Sequence, residues 1–115
     1  MSGREKIRAL IERVEQSKFP DRSLDREIEA AIGWPFALWT DNARPFTGVL
    51  DAAESLIPPV KWTIKSHDNL DISKRYWSAA VGRFYEHQGA AATPALALTA
   101  AALRARLAAL EGGND

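Results

Sequence analysis

The run Ala92-Thr93-Pro94-Ala95-Leu96-Ala97-Leu98, continuing through Ala100-Ala101-Ala102-Leu103 to Arg104 and Arg106, is a helix that carries its own start signal. Thr93 can accept a hydrogen bond from a first-turn N–H that lacks an intrahelical partner. Pro94 sits where a missing N–H costs nothing and a fixed φ already suits the helix. Leu96, Ala100, Leu103, Leu107 and Leu110 recur at helical spacing and predict a narrow apolar stripe. At about 1.5 to 3 kcal/mol per buried leucine, that stripe supplies much of the stability of a small domain, so the rest of the chain must build a surface to receive it. Arg104 and Arg106 suit the negative end of the helix dipole.

Earlier segments supply that surface. Ile7, Leu10, Ile11 and Val14 recur at helical spacing among Arg4, Glu5, Arg8, Glu12, Arg13 and Glu15, which predicts an amphipathic helix from Arg4 to Gln16. Pro20 separates it from a second helix with Ser23 as the expected cap, Leu24, Ile28, Ala31 and Ile32 as its inward stripe, and Gly33 as its end. Trp34 to Pro45 reads as a proline-bearing loop with a short edge strand near Phe36 to Thr40. Thr47 is the expected cap of a third helix with Val49, Leu50, Ala53, Leu56 and Ile57 on one face, stopped by Pro58-Pro59.

Val60-Lys61-Trp62-Thr63-Ile64-Lys65 alternates apolar and polar, the period of a strand with one buried face. After a turn at Ser66 to Asp71, Lys74 to His87 reads as a second strand with a bulge near Gly82, and Gln88 to Ala92 as a small-residue loop. Trp77, Ala79 and Val81 lie on one side of that strand; Tyr76, Ala80 and Phe84 lie on the other. A two-stranded hairpin is marginal alone, so helices, a third strand or a second copy of the chain must support it.

The 115 residues, 46% hydrophobic, suffice for one core. The expectation is a single domain over 1–115, with an additional helix in 1–19, a sandwich over 22–110 and a frayed tail at 111–115. Fifteen basic and fifteen acidic side chains cancel, so no global field draws the molecule to nucleic acid or anionic lipid. Without cysteine there is no disulfide, thiolate nucleophile or cysteine-based zinc site. The opening Met1 to Lys6 lacks a signal-peptide layout and no segment is long and apolar enough to span a bilayer, which predicts a cytoplasmic protein without a membrane partner.

The sharpest candidate site is the hairpin, where Lys61, Lys65, Lys74, Arg75 and Arg83 are interleaved with Trp62, Tyr76, Trp77 and Tyr85. Cations suit phosphates and rings suit unstacked bases, which is the chemistry of single-stranded nucleic-acid binding. The competing reading is a solvated sheet face, since aromatics pack strands and lysines blunt edges. Trp34, Phe36 and Trp39 are either a lid on the core or an aromatic anchor for a protein partner. His67, Asp68, Asp71 and His87 match no metal-ligand spacing, and turn chemistry accounts for the aspartates. No nucleophile elbow, triad or phosphate-cradling glycine loop is present, so the reading is non-enzymatic, with no cofactor. The small-residue ridge Ala97, Ala101, Ala102 and Ala108 serves internal helix packing or, alternatively, a homodimer seam.

In order and separation, Phe46-Thr47, Leu50-Asp51-Ala52-Ala53, Leu56-Ile57-Pro58, Trp62, Arg75-Tyr76-Trp77 and Ala92-Thr93-Pro94-Ala95-Leu96-Ala97-Leu98 resemble the phage ABA sandwich domain family, short phage and prophage proteins of unknown function. The resemblance spans Leu24 to Arg106. Two departures are Pro59, where similar chains turn with a charged residue or glycine, and the helix Arg4 to Gln16, an additional element. It implies a layered sandwich and a phage or prophage accessory role in a bacterial host, exercised by binding a host or phage macromolecule, and it transfers no site residue. The expected fold is therefore α+β, a small antiparallel sheet packed by helices on both faces in the order α-α-(short β)-α-β-β-α, as a two- or three-layer sandwich.

Overall fold

The computed structural model describes residues 3–32, 47–54, 56–57, 61–68 and 74–112. They form an α+β fold: α1 (Gly3–Gln16), α2 (Arg22–Ile32), α3 (Leu50–Glu54), β1 (Trp62–His67), β2 (Tyr76–Val81), β3 (His87–Ala91) and α4 (Pro94–Gly112). The strands make one antiparallel sheet in the order β1-β2-β3. The edge strand expected near Phe36 to Thr40, the helix end at Gly33, the Pro58-Pro59 stop, the turn residues Asn69 and Asp71 and the side chain of Leu110 lie outside the described residues. No described helix is long and apolar enough to cross a membrane.

α4 starts as its sequence dictates. The Leu96 N–H donates to the Thr93 hydroxyl at 3.2 Å, and the Ala97 N–H to the Thr93 carbonyl at 3.0 Å. Its burial goes beyond the expected stripe: every residue from Ala95 to Leu103 is buried, Thr99 included. A helix apolar on all sides must be surrounded. The sheet packs on one side of α4, and α1 and α3 pack against it elsewhere. Ala97, Ala101 and Ala102, the ridge offered above as an alternative homodimer seam, are fully buried within this one chain, and Ala108 is half-buried. The helix also continues through Glu111 and Gly112, residues expected to belong to a frayed tail.

α1 buries Ile7, Leu10, Ile11 and Val14, the positions its spacing predicts, and they join the same core as α4. α2 buries Leu24 and Ile28 but is capped two residues earlier than expected: Asp21, not Ser23, accepts the Leu24 N–H at 3.1 Å. Both residues are capping types, and tertiary contacts decide between them. The Asp21 N–H donates to the Thr47 hydroxyl at 2.8 Å, while Thr47 in turn donates its N–H (2.9 Å) and hydroxyl (2.8 Å) to the carboxylate of Asp25, a fully buried acid. Thr47 is thus a clasp on the start of α2 and not the cap of α3. α3 is correspondingly a single short turn, with Ala53 and the following Leu56 in the core and Val49 and Leu50 exposed, contrary to the continuous apolar face expected.

The segment expected to be one long strand from Lys74 to His87 is two strands and a reversal. Gly82 has φ +124° and its N–H donates to the Lys61 carbonyl at 2.8 Å, closing the end of the β1–β2 ladder. The Tyr85 N–H then donates back to the Gly82 carbonyl at 3.1 Å, with Tyr85 itself at φ 56°. Positive φ at both positions turns the chain, and Gln88 to Ala91, expected as part of a loop, belong to β3. Alanine and glycine are weak strand formers, so only the docking of α4 explains that strand. A Cβ built on Gly89 would lie 2.5 Å from the Ala97 carbonyl oxygen and 2.6 Å from the Ala101 nitrogen. Strand and helix backbones touch there because neither side carries bulk.

Gly89→Ala is therefore expected to force β3 and α4 apart and to lower stability by about 1 to 3 kcal/mol, read as a drop of several degrees in melting temperature by circular dichroism. Ala90→Gly, one residue away on the opposite face, changes no such contact and should cost at most about 1 kcal/mol.

Candidate binding face of the sheet

Register assigns every strand side chain to a face. Trp62, Ile64, Trp77, Ala79, Val81, Gly89 and Ala91 turn toward α4, where the aliphatic members and both tryptophans pack on the core. The opposite face carries Thr63, Lys65 and His67 from β1, Tyr76, Ser78 and Ala80 from β2, and Gln88 and Ala90 from β3. Thr63, Lys65, Tyr76, Gln88 and Ala90 are exposed on it. Among the described residues, α4 packs on the inner side of the sheet through β3 and β2.

At the end of the outer face where β1 finishes and β2 begins, His67 and Tyr76 are directly opposed and stack with ring centroids 4.3 Å apart and planes 4° from parallel. His67 Nε2 lies 2.7 Å from the Ser78 hydroxyl, which holds the imidazole from its other side. Beside the stack is a shallow open concavity of about 610 Å³, bordered by Tyr76, Ser78, Gln88 and Ala90 and rimmed by Glu15 and Arg104. It exists because Ala90, the β3 residue in register with Ser78, is small.

The rim is an ionic clamp on the free edge of β3. Arg104 donates to both carboxylate oxygens of Glu15, at 2.5 and 2.7 Å. Glu15 also accepts the Ala90 N–H at 3.1 Å, and Arg104 donates to the Gln88 carbonyl at 2.6 Å. The pair thus occupies two of the backbone groups that an added strand would use. Burial opposes ionization of Glu15, but the hydrogen bonds from Arg104 and the Ala90 N–H outweigh it and hold the carboxyl below its ordinary range. Arg104 was expected to serve the helix dipole; it serves β3 instead, while Arg106 donates from Nε to the Leu56 carbonyl at 2.8 Å.

The residues predicted from sequence do not form one cluster. Lys61, Arg83 and Tyr85 sit at the Gly82 end of the sheet, where Arg83 lies 6.0 Å from the center of the exposed Phe84 ring. Lys74 and Arg75 are at the other end, immediately before Tyr76, and Lys65 lies between on the outer face; all are exposed. Trp62 and Trp77 are half-buried, pack against the core from the inner face and take no part in the outer face. Trp34, Phe36 and Trp39 lie outside the described residues. His67 and His87 are on opposite faces and at opposite ends of the β2 register, and no group of acids and histidines suited to a metal occurs among the described residues. Ser78, Gln88 and Ala90 were not singled out from sequence, although strand parity with Tyr76 places Ser78; no sequence signal links Glu15 to Arg104.

No protein-family model, curated protein or solved structure matches this chain. The chemistry available on the outer face is hydrogen bonding, ring stacking and cationic attraction. The Ser78–His67 pair is a hydroxyl held by an imidazole, and no hydrogen bond from a described carboxylate to that imidazole accompanies it.

Because the folded-state pKa of Glu15 is depressed, the stability it confers is fully present above the unfolded value of about 4.3 and is lost as pH falls through the folded value. Glu15→Gln should flatten the acid limb of a urea-denaturation series taken from about pH 6 to pH 3. An unchanged acid limb would show that the clamp does not couple to folding.

Proposed function

We propose that this protein is a non-enzymatic binding protein that engages another macromolecule through the outer face of its sheet, as a phage or prophage accessory protein of the ABA sandwich kind acting in the cytoplasm of a bacterial host. The observation that carries this reading is the asymmetry of the sheet. One face is spent on α4, whereas Lys65, Tyr76 and Gln88 stand exposed around a preorganized ring pair on the other. A stacked histidine and tyrosine bonded to a serine give a rigid platform that loses little entropy when a ligand docks. The clamp on β3 supports the same reading, because it blocks association by strand addition at that edge and leaves the face as the available surface there.

The test is affinity capture from bacterial lysate with wild-type protein, an outer-face variant (Lys65→Glu with Tyr76→Ala) and a control altered at the exposed Phe19 (Phe19→Ala). A macromolecule retained by wild type and the control and lost by the outer-face variant is the expected result. Retention indifferent to the outer face overturns the proposal.

A further inference from the structure

We infer, resting on that reading of the face, that the ligand is single-stranded nucleic acid, with a nucleobase stacking on Tyr76 as the third ring of the His67–Tyr76 column and lying over Ala90. Two rings already stand parallel at stacking distance, and Tyr76 is 43% exposed. A column of this kind is extended by any planar ring, and every base has such a face. The open volume beside Tyr76 is bordered by the small Ala90 and by the polar Ser78 and Gln88, which can meet the edge of a base with a hydroxyl and an amide.

Charge around the stack supports the same ligand. Lys74 stands two residues before Tyr76, and Lys65 lies on the same face two residues from His67, about 7 Å along β1. Phosphates flanking a base on Tyr76 would meet these cations within one nucleotide step. Of the acids bordering the concavity, Glu15 is paired with Arg104, while Glu86 accepts the Phe84 N–H at 2.9 Å and keeps its charge. With zero net charge over the chain, affinity must come from this local set plus stacking, so binding should be salt-sensitive and modest. A duplex hides its base faces within its own stack, which confines the site to single strands.

The experiment is fluorescence anisotropy of an end-labeled oligothymidylate of about 15 nucleotides at about 50 mM salt, with a duplex of equal length and a free mononucleotide as competitors. Saturable binding is expected, weakened at least about fivefold by Tyr76→Ala and retained by Tyr76→Phe, which keeps the ring. Lys65→Ala should lower the slope of log affinity against log salt by about one. Circular dichroism melts establish that each variant is folded. Absence of saturable binding, equal affinity of wild type and Tyr76→Ala, or preference for the duplex overturns the assignment. Competition by the mononucleotide as effective as by the oligonucleotide makes the site one for free nucleotides and overturns it too. A protein captured from lysate and lost by the outer-face variant, with no oligonucleotide binding, would overturn the nucleic-acid ligand and leave the binding face standing.

Discussion

The contact of Gly89 with the backbone of α4 at Ala97 and Ala101 is what the remaining structure depends on. From Ala95 to Leu103 α4 is buried around its whole circumference, so this half has no side to offer to water and must be enclosed by the elements before it. The sheet encloses it only if the strands come close, and close approach requires alanine on the helix and glycine on β3. Substituting bulk on either side would open a gap between layers and strip dispersion contacts along both surfaces.

Having been made a strand by α4, β3 becomes a sheet edge with unsatisfied backbone groups. The Glu15–Arg104 clamp answers that need from two helices far apart in the chain, the last turn of α1 and the middle of α4. It also explains why α1 is part of the domain rather than an appendage: its apolar residues enter the common core and its carboxylate finishes the sheet. The Thr47 clasp does comparable work at the start of α2, where a buried carboxylate, a hydroxyl and two N–H groups satisfy one another.

Covering one face of the sheet so completely leaves the chemistry on the other. The tryptophans, the largest aromatic surfaces in the hairpin, go to the core, and the smaller rings of His67 and Tyr76 remain outside with Lys65. Composition cannot distinguish these fates, because a tryptophan and a tyrosine in neighboring strand positions are equally good strand formers. Parity along the strand separates them, and the layer on which α4 packs decides which parity faces solvent.

What the sequence determined by itself is local. The start of α4 at Thr93-Pro94, the buried positions of α1, the inward alternation of Trp62 and Ile64, and the α+β class follow from hydrogen-bond capping and from the two periodicities of the backbone. Tertiary structure alone decided that Asp21 and not Ser23 caps α2, that residues 76–91 are two strands around Gly82, that a run of alanine and glycine is a strand, and that Arg104 reaches Glu15. The reason is the same in each case. Several local solutions were nearly equal in energy, and the choice among them was made by groups brought from elsewhere in the chain by the burial of α4.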